Sequence, residues 1–350
     1  MGDRGRRELL SVPLSLCFCH HSKFNIRYSN KRITCRFARP GPERAGEAGL
    51  HYLTIMDLTQ QIAQYIITGL SIGAIYAIVA MGFNIIYNAT GIVNFAQCEF
   101  ISLGGMFMYT LVVLFRVPII ISFVISMAGV TLIGALIERG PIRYARSKEV
   151  IVLIFLTIGL SGTLRGTAQE IWGTDNVGVP AFSGENPIHL PIGATILPQH
   201  IWIFAITILV MLVLRYFFKN TMMGKAMRAT AVNRRAAALM GIAVNRMILI
   251  SFAISGALGA VAGMIIAPIS TTSYDTGIML GLKGFAAAIL GGYGNFAGAI
   301  LGGTILGILE SLGAGLISSQ YKDAIAFFVL LFVLFVKPTG IMGPGESERV

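Results

Sequence analysis

From residue 62 onward the chain is a succession of apolar runs, several of them close to the roughly 20 residues a helix needs to cross a hydrocarbon core. That spacing decides the class before any motif is considered. Only 12% of the 350 residues are charged and 55% are hydrophobic, against roughly 25% charged in soluble domains. The 41 glycines fall largely inside the apolar runs, where small residues let helix backbones approach closely. The expected fold is all-α: a tightly packed membrane helix bundle of eight to nine spans, one of them short or re-entrant.

The spans read in order as 62–87, a break at 88–91, 92–115, a tight turn at 116–118, 119–137, 150–172, 201–218 and 247–268. A short apolar piece at 281–292 follows, interrupted by Lys283, and then 295–317 and 324–336. Two connecting segments are strongly basic, 139–148 and 215–246, and the second has seven Lys/Arg and no acid. Lys/Arg-rich loops face the cytoplasm, and the two spans between these loops place both on one side. The loop 173–199 has no Lys or Arg and belongs outside, as does 269–276. The C-terminus then lies in the cytoplasm.

Within the long basic segment, 233–241 reads as a short helix, with Asn233 as its cap and Gly241 as its stop. A small Ala-rich helix held outside the membrane suits docking into a groove on a soluble partner. It also suits a solvated loop lying on lipid headgroups.

Residues 1–55 carry +6 of the net charge of +11 and three of the four cysteines, without helical or strand periodicity. Cys17, Cys19, His20 and His21 resemble half of a zinc site, but no second pair lies at the required spacing. The run from Leu9 to Cys19 lacks a small-residue cleavage site, and Leu16 is too bulky for a lipoprotein cleavage box. The expectation is that translation begins at Met56, or that this tail is disordered, and that 56–350 forms the permease domain.

No catalytic constellation emerges. There is no G-x-x-x-x-G-K-[ST] phosphate loop, so the chain is not expected to hydrolyse nucleotide, and no cofactor or metal site is expected. Gly292, Gly294 and Ala297 match a dinucleotide fingerprint in spacing only, without its βαβ setting, and mark a helix break. Gly69/Gly73, Gly259/Gly263, Gly298/Gly302 and Gly303/Gly307 place glycines on single helix faces for close packing.

Polar residues inside membrane spans are costly and mark either internal hydrogen bonds or a watery path. Asn94, Gln97, Glu99, Lys283 and Glu310 are the translocation-path candidates, and Asn84 joins them as a polar intramembrane residue. Interrupted segments in two halves of a bundle point to a substrate site at membrane depth, which suggests a Glu99–Lys283 ion pair. Asn94-Phe95-Ala96 recurs as Asn295-Phe296-Ala297, a trace of duplication.

Four motifs carry a resemblance across nearly all of 56–350. They are Asn94-Phe95-Ala96-Gln97-Cys98-Glu99-Phe100; Met223-Gly224-Lys225-Ala226-Met227-Arg228-Ala229 followed by Ala236 to Ile242; Gly281 to Gly292; and Tyr321-Lys322-Asp323 with Lys337-Pro338-Thr339-Gly340-Ile341. Together they resemble the integral-membrane permease subunits of bacterial branched-chain amino acid ABC importers of the LivH type. Cys98 stands where that family usually has Gly, and Asn233 or Arg234 where it often has an acid.

The resemblance implies a non-enzymatic, multi-pass inner-membrane importer subunit working by alternating access. A second permease paralogue would complete the pore, and a periplasmic substrate-binding protein would deliver substrate, in part to 173–199. Two cytoplasmic ATPase subunits would dock on a coupling helix formed by Asn233, Arg234, Arg235, Ala236, Ala237, Leu239 and Gly241. Membrane lipid surrounds the bundle, and nucleic acid is not among the partners implied. Urea or short amides are the alternative substrates, and a passive channel or secondary transporter is the alternative class.

Overall fold

The computed structural model describes residues 47–145, 149–184, 186–189 and 195–343, with side chains from residue 58. The expectations for the cysteine-bearing tail lie outside the described residues. Residues 1–53 and 54–350 form separate units, and the second is described below.

Among the described residues eleven α-helices follow one another: α1 (Glu47–Thr90), α2 (Gln97–Tyr109), α3 (Ile119–Ile137), α4 (Val150–Trp172), α5 (Pro198–Asn220), α6 (Met222–Val232), α7 (Arg234–Leu239), α8 (Val244–Ile266), α9 (Thr276–Gly291), α10 (Phe296–Leu316) and α11 (Lys322–Val336). Wider π-type turns extend α2 through Thr110–Leu114 and α3 through Glu138–Ile142. The strands among the described residues are a two-residue antiparallel pair, β1 (Ile188–His189) and β2 (Thr195–Ile196), in the loop before α5. The fold is all-helical, as the apolar runs predict: helices pair every backbone group within the segment, which lipid requires.

Eight helices among the described residues are long and apolar enough to cross a membrane, and α9, at 16 residues, is shorter. At 1.5 Å per residue α9 spans about 24 Å, less than the ~30 Å core. It nevertheless runs from one end of the bundle to the other. Just before it, Thr272 pairs with Val177 of the α4–α5 loop through backbone hydrogen bonds of 2.8 and 2.9 Å. Just after it, Gly294 donates to Asn84 Oδ1 at 3.0 Å, and Asn88 Nδ2 donates to the Gly294 carbonyl at 2.8 Å, at the far end of α1. Helix α9 is the short element expected beside the eight longer spans.

The loops expected outside, 173–199 and 269–276, thus meet at one end through Val177 and Thr272. At the other end Arg143 Nη2 donates to the Asn245 carbonyl at 3.5 Å, joining the two basic segments. The C-terminal residues return to that same end, where Ile341 and Met342 amides donate to Leu290 and Gly291. The basic and the Lys/Arg-free loops are therefore segregated as the positive-inside rule requires.

The core is built from α1, α2, α8, α9 and α10. Glycines set its spacing, since α1 and α10 cross with backbone against backbone. A Cβ on Gly303 would fall 2.6 Å from the Ala77 amide nitrogen and 2.8 Å from the Gly73 carbonyl oxygen. No flexible side chain stands there to give way. Gly303→Leu should therefore cost about 3 kcal/mol, the upper end of ordinary overpacking, read from detergent-solubilised unfolding. A loss below about 1 kcal/mol would contradict this crossing. Gly259 and Gly263 likewise meet Phe100 and Ile101 of α2, and Gly298 and Gly302 meet Gly291 and Ala287 of α9.

Candidate functional site

The chain leaves the bundle at the basic end through α5, and Thr221 caps α6 by accepting from the Gly224 amide at 3.0 Å. Asn233 Oδ1 then accepts from the Ala236 amide at 3.0 Å and starts α7. Gly241, at φ +84°, ends it, while the Gly241 and Ile242 amides bond back to Ala238 and Ala237. The Asn cap and Gly stop thus lie where the spacing places them.

Asn233, Arg234, Arg235, Ala236, Leu239 and Gly241 are exposed. Leu239 and Met240 are 88% and 83% exposed at the tip. Ala237 differs from the expectation: at 4% exposure it is buried, because position 237 faces back toward the bundle while its neighbours face out. It anchors the helix and offers no docking surface.

Arg234 lies beside the α1–α2 break, with Nη2 3.4 Å from the point a Cβ on Gly91 would occupy. Gly91 has φ +68°, which only glycine adopts readily. Close by, Met227, Arg228 and Ala231 of α6 surround a small cavity with Ile85 and Asn88 of α1, Phe218 of α5 and Phe296 of α10. A displacement of α7 would reach the ends of α1, α5 and α10 through these contacts.

Midway along α1 and α9 lies a buried ionic cluster. Lys283 Nζ on α9 sits 2.7 Å from Glu310 Oε1 on α10 and 2.5 Å from Asp323 Oδ1 on α11. Tyr76 of α1 donates its hydroxyl to Glu310 Oε2 at 2.7 Å. Lys283 and Glu310 are buried, whereas the Asp323 side chain is 39% exposed. The cluster borders a cavity of about 370 Å³, whose walls also include Ser71, Ile72, Ile75, His200, Ile203, Ser270, Met279 and Lys322.

The Glu99–Lys283 pair expected from the sequence is absent. Helix α4 reaches Glu99 instead: Arg165 Nη2 donates to Glu99 Oε1 at 2.9 Å and Ser161 Oγ donates to the same oxygen at 2.7 Å. Lys283 has its own carboxylates on α10 and α11. Arg165, Tyr76 and Asp323 were not among the polar candidates. The signal for Arg165 was its position inside the fourth apolar run, since an intramembrane Arg demands an acid.

Asn94 and Gln97 have local duties. Asn94 Oδ1 accepts from the Ala96 amide at 3.1 Å, turning the chain into α2. Asn295 Oδ1 accepts from the Ala297 amide at 2.9 Å as the N-cap of α10, whereas α2 has Ala96 as its cap, two residues after Asn94. Gln97 Nε2 donates to the Ser255 carbonyl at 3.1 Å, and Ser255 Oγ, with one proton to give, lies within hydrogen-bond reach of both Gln97 Oε1 and the Gly82 carbonyl. These bonds join α1, α2 and α8. Cys98 is buried against Gly281, where a Cβ would fall 2.7 Å from its own. Among the described residues no group of His, Cys, Asp or Glu is placed to hold a metal ion.

Comparison with known proteins agrees with this architecture. The family model described as the permease component of the branched-chain amino acid transport system matches residues 65–334. The high-affinity branched-chain amino acid permease protein LivH of Salmonella typhimurium is 34% identical, over 82% of this chain and 97% of its own length. The corresponding BraD protein of Pseudomonas aeruginosa is 32% identical over the same shares. The ribose import permease RbsC of Escherichia coli is 28% identical over 58% of this chain and 63% of its own length. The chain therefore belongs to the branched-chain amino acid transport permease family, as a multi-pass, non-catalytic membrane subunit of an ABC system that works with ATPase and binding-protein partners.

Proposed function

We propose that the chain imports branched-chain amino acids as one of two permease subunits, driven by two ATPase subunits docked on α7. The observation that carries this reading is α7 itself: capped, exposed at its tip and seated against the α1–α2 break. A solvated loop has no need of Leu239 and Met240 held in water. Closure of the ATPase pair on ATP would push α7, and the Arg234 and α6 contacts would pass the push to α1, α5 and α10. The second permease would complete the path, and the binding protein would deliver substrate at the end bearing 173–199.

Of the path candidates we keep Lys283 and Glu310, which border the open cavity. Gln97 joins α1, α2 and α8. Asn94 engages its Oδ1 in the turn before α2, and Glu99 its Oε1 in holding α4, while Asn94 Nδ2 and Glu99 Oε2 are buried without a partner. Branched-chain amino acids are favoured over urea by what lines the cavity, long aliphatic side chains beside paired charges. Urea has no aliphatic part to meet that lining.

Uptake of labelled leucine and labelled urea, in cells lacking the chain and then resupplied with it, tests the reading. Leucine uptake that returns and stops when ATP is depleted is the expected result. Urea uptake in its place would replace the substrate. Leucine uptake that persists without ATP would overturn the coupling and favour a channel.

A further inference from the structure

We propose that the 370 Å³ cavity at the non-basic end is a recognition site for a zwitterionic aliphatic α-amino acid. The inference rests on the importer reading above and adds the place and chemistry of substrate contact. Three features of the cavity point the same way.

Its size is within the range of small-molecule sites, roughly 300–1,000 Å³. Its charged lining is balanced, with Lys283 and Lys322 against Glu310 and Asp323. A net anion or cation would find an opposing charge and an equal like one. A zwitterion has a carboxylate for the lysines and an ammonium for the acids. The remaining wall is aliphatic, including Ile72, Ile75, Ile203 and Met279, and suits a branched side chain.

The cluster also has unused capacity. An ammonium has three donors, and two of those of Lys283 are accounted for by Glu310 and Asp323. Asp323 is the exposed member, so an incoming carboxylate can take its place on Lys283 without unburying Glu310.

The test is equilibrium binding of labelled leucine to the purified complex of permeases and ATPases, with no binding protein present. Saturable binding is expected, displaced by isoleucine but at least tenfold more weakly by leucinamide, by 4-methylpentanoate and by urea. Leucinamide and 4-methylpentanoate each lack one of the two charges. Met279→Trp fills the cavity without touching the ionic cluster and should weaken binding at least tenfold. Ser270→Trp, from the loop side, should do the same and serves if the first variant fails to assemble.

Absence of saturable binding would overturn the proposal. So would equal displacement by the single-charge analogues, or unchanged binding in an assembled plug variant. These failures leave the importer reading intact when the wild-type complex still transports leucine. Transport of urea and not leucine would instead replace the substrate of the importer reading, and remove this site with it.

Discussion

Lys283→Met should destabilise the assembled bundle by about 3–5 kcal/mol, the cost of leaving a buried carboxylate without its partner. Glu310 is the group left behind: it is 3% exposed and retains only the Tyr76 hydroxyl once the ammonium is gone. Glu310→Gln in the same chain should recover most of that loss, because an amide still accepts from Tyr76 and carries no charge to be solvated. Asp323→Asn alone should cost under about 1 kcal/mol, since a partly exposed pair is screened by water. The midpoint of detergent-solubilised unfolding measures all three. Transport separates structure from path: the double variant should remain inactive although its stability returns. A Lys283→Met chain as stable as the wild type would mean that the ion pair does not hold α9, α10 and α11 together.

The elements were far more legible than the pairings. Long apolar runs, the Asn233 cap, the Gly241 stop and the sign of the loops each act over a few residues, and all are visible in sequence. The paired charges are not. Glu99 and Lys283 are two intramembrane charges of opposite sign, and nothing along the chain says that α4 brings Arg165 to the first while α10 and α11 bring two acids to the second. Tyr76 sits in an apolar run as one more aromatic residue, and only the crossing of α1 and α10 makes its hydroxyl a partner for Glu310. The short piece at 281–292 was ambiguous for a related reason. Its helix begins at Thr276, five residues before the apolar run suggests, because polar Thr276 and Gly277 are buried or half-buried where Ser102 of α2 accepts from the Gly277 amide at 2.7 Å. Ala237 shows the limit on a finer scale. The three alanines of α7 look alike in sequence, and burial alone separates the one that anchors from its neighbours.

Leu239→Glu with Met240→Glu should strip the ATPase subunits from the purified complex while leaving the permease bundle as stable as before. Both side chains are exposed, at 88% and 83%, so their loss removes no internal packing, and surface changes of this kind stay within about 0.5 kcal/mol. Burying each in a partner is worth about 1.5–3 kcal/mol. Together they account for a loss of affinity of roughly 100-fold or more at 1.4 kcal/mol per tenfold. Ala237→Glu is the contrasting change. It places a charge at a buried position, so it should lower the stability of the basic end before it affects docking, and a combined loss in that variant would say nothing about the interface. Salt distinguishes the two kinds of contact that α7 can offer. If Arg234 and Arg235 carried the docking through acidic partners, raising salt to 1 M would shorten the screening length to about 3 Å and release the ATPases. Retention at 1 M salt, with release by the double glutamate variant, is the expected pair of results and assigns the contact to the apolar tip. Retention in the double variant would remove α7 as the docking element and leave the motion of α1, α5 and α10 without a driver.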